Sequence, residues 1–183
     1  MKTQLAIIGA GPGGHAAAFR AADLGLQVTV IDAEERPGGV CLLRGGIPSK
    51  ALLHAARVIR EADDAKHIGL GFAAPSLDLD RLRAWKGEVV AKLTDGVAFR
   101  FKQKKIQHLR GRAKFTGANT LDVDGQALEF ESCIIASGSR AIMPPFVPRD
   151  ATLVMGSREA LDLPDVPKTL LVVGGGYIGL ELG

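Results

Sequence analysis

Two glycine-spaced motifs and one cysteine segment hold most of the chemistry this sequence could perform. Gly9, Gly11 and Gly14 form a Gly-x-Gly-x-x-Gly motif between the apolar run at 5–8 and an alanine-rich stretch. In such a setting the first glycine makes the turn, the second lets a pyrophosphate approach the backbone, and the third lets helix and strand pack closely. The pyrophosphate would rest on free N–H groups at the positive end of the helix. Asp32 ends the β-branched run at 28–31 and lies eighteen residues after Gly14. A carboxylate there can accept both hydroxyls of an adenosine ribose. Glycine-rich turns are common, and an acid at a strand end is often simply solvated. Strand, turn, helix and acid in this order point together to dinucleotide binding. The same pattern recurs at Gly174, Gly176 and Gly179, after the apolar run at 170–173.

The cysteine segment reads Gly38-Gly39-Val40-Cys41-Leu42-Leu43-Arg44-Gly45-Gly46-Ile47-Pro48-Ser49-Lys50. Taken by itself it is a loop, residues 36–48, leading into a helix. A thiol near a helix start can have a depressed pKa and be reactive, but an inert buried thiol fits the same residues. Cys133 lies in an apolar run and reads as a small core residue. His15, His54, His67 and His108 have no ligand or catalytic pattern around them. Lys50 and Glu181 each stand on a helical stretch, where such residues usually face water.

The elements that must position these groups follow from periodicity. Residues 5–8 and 28–31 read as strands around a helix at 16–24, closed by Gly25. This is a βαβ unit. Residues 50–62 carry a helical stripe of Leu52, Leu53, Ala56 and Ile59. A second helix is expected over 79–101, and residues 106–109 as the third strand of a parallel sheet. Runs at 113–115, 121–123 and 127–130, separated by Gly-Ala-Asn and Asp-Gly turns, predict an antiparallel meander packed on that sheet. A further buried strand is expected at 132–135, ending in the turn Ala136-Ser137-Gly138-Ser139. Pro144, Pro145 and Pro148 mark a linker, and residues 170–173 open a new strand. The fold class is therefore α/β: a Rossmann-like dinucleotide-binding domain with a meander over 1–148. Residues 149–183 would be a linker and the first strand and helix start of a second such domain.

Composition excludes several alternatives. The chain has 183 residues, 46% apolar and 23% charged, which is ordinary for a globular protein. No apolar run approaches the ~20 residues that span a bilayer, and the apolar N-terminus is too short for a signal peptide. A cytoplasmic protein is expected, with no membrane contact. Two cysteines make no secreted disulfide framework. Residues 81–114 hold eleven lysines and arginines against Glu88 and Asp95. No nucleic-acid motif or stacking platform accompanies them, so they read as a solvated face and not as a nucleic-acid site.

The cysteine segment also carries a resemblance. It is similar to the signature G-G-x-C-x-x-x-x-C-x-P-S-K of the pyridine-nucleotide–disulfide oxidoreductase family, matching every fixed position except the second cysteine, which is Gly46 here. The likeness extends through residues 9–14, Asp32, residues 136–139 and residues 174–181, and is strongest to the dihydrolipoamide dehydrogenase branch. The resemblance implies that Gly9, Gly11, Gly14 and Asp32 hold the ADP half of FAD. Gly39 and Cys41 would line the flavin, and Ser137 and Gly138 would pass close to the cofactor. It further implies that Lys50 lies near the flavin N5, that Glu181 pairs with it at salt-bridge distance in a partly buried setting, and that Tyr177 covers the nicotinamide side. Gly174, Gly176 and Gly179 would begin an NAD site, left incomplete because its specificity residue would fall past Gly183.

The activity implied is electron transfer from a small-molecule or lipoyl dithiol through FAD to NAD, in a homodimer. Cys41, Lys50 and Glu181 would be its catalytic residues, and no metal is implied. Because a disulfide stores the electron pair and needs two thiols, Gly46 implies a broken relay. Further FAD-binding and interface segments of the family are expected to lie outside this chain, so FAD is expected to bind weakly and the chain alone to be inactive. Transhydrogenase-like hydride transfer without a disulfide, or a non-catalytic FAD-binding remnant, are the alternatives.

Overall fold

In the computed structural model the described residues are 1–148 and 153–183. The elements in chain order are β1 (Lys2–Ile8), α1 (Pro12–Asp23), β2 (Val28–Asp32), α2 (Gly39–Arg44), α3 (Gly46–Asp64), α4 (Leu79–Gln103), β3 (Gln107–Arg110), β4 (Ala113–Gly117), β5 (Thr120–Val123), β6 (Gln126–Ile135), α5 (Ser157–Asp162) and α6 (Tyr177–Leu182). They form two compact units. The first comprises Met1–Leu43 and Ala91–Arg140, the second Arg44–Val90 and Ala141–Gly183.

The first unit is built on one six-stranded sheet of order β3-β2-β1-β6-β5-β4. Strands β3, β2, β1 and β6 run parallel, with Leu5 opposite Val28 and Ile7 opposite both Val30 and Ile134. Alternation along β1 and β2 sends side chains to two faces. Leu5, Ile7, Val28 and Val30 pack with Ala18 and Ala21 of α1 and with Phe101. Ala6 and Ile31 join Leu121, Val123, Leu128 and Phe130 in a second cluster. The α/β class and the parallel core are as the periodicity predicted.

Two expectations for the later strands need correction. The meander packs against the parallel strands as expected, with Leu121, Val123 and Leu128 in one cluster with Ala6 and Ile31, but it is also continuous with them, because β6 is one strand that pairs antiparallel with β5 and parallel with β1. Residues 132–135 are therefore the end of β6 and not a separate strand. They are also not buried, since Ile134 and Ile135 are exposed. A hydrophobic run cannot report which of its two faces is covered.

The cysteine segment is the third correction. The expected loop at 36–48 is mostly helical, being α2 followed after Gly45 by α3. Gly38 and Gly39 take positive φ values of 133° and 59° and make the turn. Pro48 does not end the helix, because it lies in the first turn of α3, where its missing N–H has no intrahelical partner to lose.

Among the described residues the second unit holds helices and no strand. Residues 170–173 were expected as a strand, but they form none and are exposed. A strand needs a hydrogen-bonded neighbour, and no described strand pairs with them. The linker expected to begin at 149 starts on residues outside those described.

Candidate functional site

In the first unit the glycine motif makes the strand–turn–helix geometry that dinucleotide binding needs. Gly9 has φ +108°, and a Cβ built on it would lie 2.2 Å from the Ala136 carbonyl oxygen. A Cβ on Gly14 would lie 1.8 Å from the Gly9 oxygen. Both glycines are thus required by packing. Gly11 differs: its φ is −67°, and a Cβ there would meet only Gly39 Cα, at 3.8 Å. Gly13 has nothing within 4 Å. The start of α1 is therefore open, has no side-chain cap and no acid in its first turn. Its free N–H groups suit an anion.

Asp32 stands at the end of β2 and reaches this turn. Its Oδ2 accepts the Ala10 N–H at 2.6 Å and its Oδ1 accepts the Glu34 N–H at 2.8 Å. Each carboxylate oxygen has a further lone pair, so ribose hydroxyls can still be accepted. The residues present fit the ADP half of a dinucleotide: an open helix start, a close-packed glycine turn, and a carboxylate beside both.

Gly39 begins α2 and lies against Gly11; a Cβ on it would be 2.7 Å from Gly11 Cα. Cys41 is exposed on α2, and both cysteines are free thiols. Cys133 is half-buried, and that burial raises its thiol pKa. Ser137 and Gly138 follow β6; the Ala136 N–H donates to the Ile8 oxygen at 2.8 Å, which brings this turn beside Gly9.

The histidines were expected to have no ligand or catalytic pattern around them. His108 fits that reading as a structural residue of the sheet. It lies opposite Val30 on β3, its Nε2 is buried without a hydrogen-bond partner, and burial lowers its pKa while the Asp32 charge opposes that shift. Its proximity to Asp32 needs the parallel pairing of β2 and β3, so spacing alone could not reveal it. His15 Nδ1 lies 3.3 Å from the Ala10 oxygen.

In the second unit, Lys50 Nζ lies 4.0 Å from Glu181 Oε1. The expected approach of the two side chains is present, but the expected burial is not shared. The Lys50 side chain is 70% exposed, that of Glu181 37%. What anchors Glu181 is Ser49, a fixed position of the signature to which the sequence alone attaches no role. Ser49 is buried, and its Oγ donates to Glu181 Oε2 at 3.0 Å. Ser49 thus gives the carboxylate a hydrogen bond and Lys50 a nearby positive charge, both from the first turns of α3.

The second glycine motif repeats the geometry of the first. Gly174 has φ +115°, and a Cβ on Gly179 would lie 2.5 Å from the Gly174 oxygen. Gly176 caps α6 with φ −74°, close to the value at Gly11. Tyr177 opens α6 and is exposed. Elsewhere in this unit Arg83 and Lys86 donate to the Leu163 and Leu161 carbonyls at the end of α5. Burial lowers the Lys86 pKa, opposed by the Asp162 charge. Of the basic stretch, Arg81, Arg83 and Lys104 pair with Glu88, Asp80 and Asp23. No group of residues that could hold a metal occurs among the described residues, and no described helix is long and apolar enough to cross a membrane.

Comparison with known proteins bears on the same residues. Residues 3–183 match the family described as pyridine nucleotide-disulphide oxidoreductase. The chain is 48% identical to the dihydrolipoyl dehydrogenase of Haemophilus influenzae and 46% identical to that of Vibrio cholerae. Each match covers all of this chain and 39% of the relative. Among solved structures it resembles the HOCl-induced flavoprotein disulfide reductase RclA from Escherichia coli, with a TM-score of 0.81 and 30% identity. That match covers 97% of this chain and 38% of the other. The chain thus spans well under half the length of the curated relatives it matches.

Proposed function

Because the chain belongs to the pyridine nucleotide-disulphide oxidoreductase family, we propose that its first unit holds the ADP half of FAD in a flavin-dependent oxidoreductase of the dihydrolipoyl dehydrogenase type. The observation that carries this reading is the meeting of Asp32 with the glycine turn at 2.6 Å, beside the uncapped start of α1. Gly13 and Gly14 would donate N–H groups to the pyrophosphate, and Asp32 would accept from the ribose. Gly39, Cys41, Ser137 and Gly138 would line the remainder. When bound, FAD would supply two-electron redox chemistry. In the second unit Lys50 and Glu181 would be the family's cation–carboxylate pair, a role supported by the signature match and the 4.0 Å separation.

The whole protein would pass electrons between a lipoyl or small-molecule dithiol and NAD, as a cytoplasmic homodimer. In this reading residues 1–148 belong to the FAD domain and residues 149–183 lead into an NAD domain begun by Gly174, Gly176, Tyr177 and Gly179.

Gly46 favours a second reading for the chemistry. A disulfide needs a partner thiol for Cys41, and Gly46 stands where the family signature has one. Hydride transfer through flavin alone, of the transhydrogenase kind, requires no such partner. The two readings separate on one substitution. Gly46 is the first residue of α3 and is not among the positive-φ glycines, so its backbone accepts cysteine. Dithiol-dependent NAD reduction by the full-length protein should be absent with Gly46 and appear with Gly46→Cys. Full dithiol activity with Gly46 in place rejects the role given to this position.

The cofactor reading has its own test, the visible absorption spectrum of the purified chain mixed with FAD. A flavin band shifted on mixing and lost on gel filtration is expected. A stoichiometric yellow protein surviving gel filtration would overturn the weak binding proposed. The absence of any interaction with FAD or ADP would overturn the site itself.

A further inference from the structure

We infer that Asp32 is a positioning residue that ties the nucleotide end of the first unit to the helix carrying Cys41, through Ala10. The link is a run of hydrogen bonds. Asp32 Oδ2 accepts from the Ala10 N–H at 2.6 Å. The Ala10 carbonyl accepts from the Gly38 N–H at 2.9 Å. The Gly38 carbonyl accepts from the Leu42 N–H at 3.3 Å, which closes the first turn of α2 around Cys41. Ala10 is fully buried, so neither of its polar groups has water as an alternative. The contact of Gly39 with Gly11 holds the same two segments together on a neighbouring residue.

The chemistry of the link requires a carboxylate. Both Asp32 oxygens accept backbone N–H groups, one from Ala10 and one from Glu34. Asparagine offers a single acceptor oxygen, and its NH₂ would face an N–H donor. It can keep one of the two bonds only. Alanine keeps neither and leaves the Ala10 N–H buried and unpaired. The bond to a charged acceptor also polarises its neighbours, so successive bonds strengthen one another. Ribose hydroxyls donating to the free lone pairs would add to this network without displacing it. Nucleotide binding at Asp32 is thereby felt at α2 although Cys41 touches none of the groups named for the ribose.

That functional consequence rests on the proposed FAD reading; the link within the protein does not. Residue-level amide hydrogen exchange on the 183-residue chain tests both. Without nucleotide, Asp32→Ala should speed exchange at Gly38 and Leu42 by about ten-fold, the effect of one hydrogen bond to a charged group. Asp32→Asn should give a smaller change. The strand amides of β1 and β6 should be unaffected. Circular dichroism identifies a variant that fails to fold, and Asp32→Asn then carries the comparison. Unchanged exchange at 38–42 in a folded variant would overturn the link. So would a rise spread evenly over the whole unit, which would make Asp32 a general stabiliser. With ADP as the probe, wild-type exchange at 38–42 should slow, and the Asp32→Asn protein should respond less. If the variants act as expected but ADP alters no amide of residues 9–14 or 38–42, the link stands and the nucleotide reading of Asp32 falls.

Discussion

Replacing Gly11 by alanine separates binding from folding at a single methyl group. The backbone at Gly11 has φ −67° and ψ −177°, which any residue adopts, and the added Cβ meets only Gly39 Cα, at 3.8 Å. Such a Gly→Ala change restricts the unfolded chain, a gain of about 0.4–1 kcal/mol, but Gly11 is the N-cap of α1 and alanine caps a helix less well than glycine by a similar amount. The two effects nearly cancel, so Tm should stay within about 2–4 °C of the wild type for a chain of this size. The same methyl stands on the open side of the turn, where a pyrophosphate must come within hydrogen-bond distance of the backbone. ADP affinity should therefore fall by at least about ten-fold, or roughly 1.4 kcal/mol. Gly14→Ala makes the opposite comparison. Its Cβ would lie 1.8 Å from the Gly9 oxygen, a backbone atom that cannot rotate away. Helix α1 would have to move off β1, costing about 1–3 kcal/mol or more. Thermal melts followed by circular dichroism and ADP titrations by calorimetry measure the two effects. A Gly11→Ala protein that binds ADP as the wild type does would refute the cradle at the start of α1. A Gly14→Ala protein with unchanged Tm would refute the close packing.

The Glu181 contacts and His108 give two further expectations. The Ser49 hydroxyl is buried and its hydrogen bond part-buried, whereas the Lys50 ion pair is largely exposed, so Ser49→Ala should cost about 1.5 kcal/mol and Lys50→Ala below about 1 kcal/mol. Amide exchange of α6 should accordingly rise more for Ser49→Ala, and the reverse order would show that the ion pair is the anchor. His108 is held neutral by burial, with its folded pKa below the ordinary 6.5. The unfolded chain therefore binds the proton more readily, so the contribution of His108 is complete above that pH and is lost as pH falls toward the folded pKa. Melts between pH 7.5 and pH 5 should show a smaller loss of Tm on acidification for His108→Leu than for the wild type, and equal losses would reject this role.

Much of this protein can be read without its structure, and the division has physical causes. Local patterns report local events. The alternation at 28–31, the glycines at 9, 11 and 14, and Asp32 at the strand end are set by neighbours a few residues away, so the βαβ unit was legible. The match to G-G-x-C and P-S-K was legible for the same reason, and so was glycine at position 46, where that signature has its second cysteine. Contacts across the chain were not legible from pattern alone, and the approach of Lys50 and Glu181 came only through the resemblance. Period-two alternation gives a strand two faces but not its sheet neighbours, so only pairing showed β6 to be one strand with exposed isoleucines. A proline warns of a helix end, but its cost depends on the turn it occupies, and Pro48 falls in the first. Spacing assigned three glycines to one motif; the Cβ distances divided them into two that packing demands and one that it does not. The partners of Asp32, the burial of His108 and the Ser49 anchor of Glu181 all join residues more than twenty positions apart, except for Asp32 with Glu34. Separations of that kind are decided by the register of the parallel sheet in one unit and the packing of helices in the other, which no run of neighbouring residues can report.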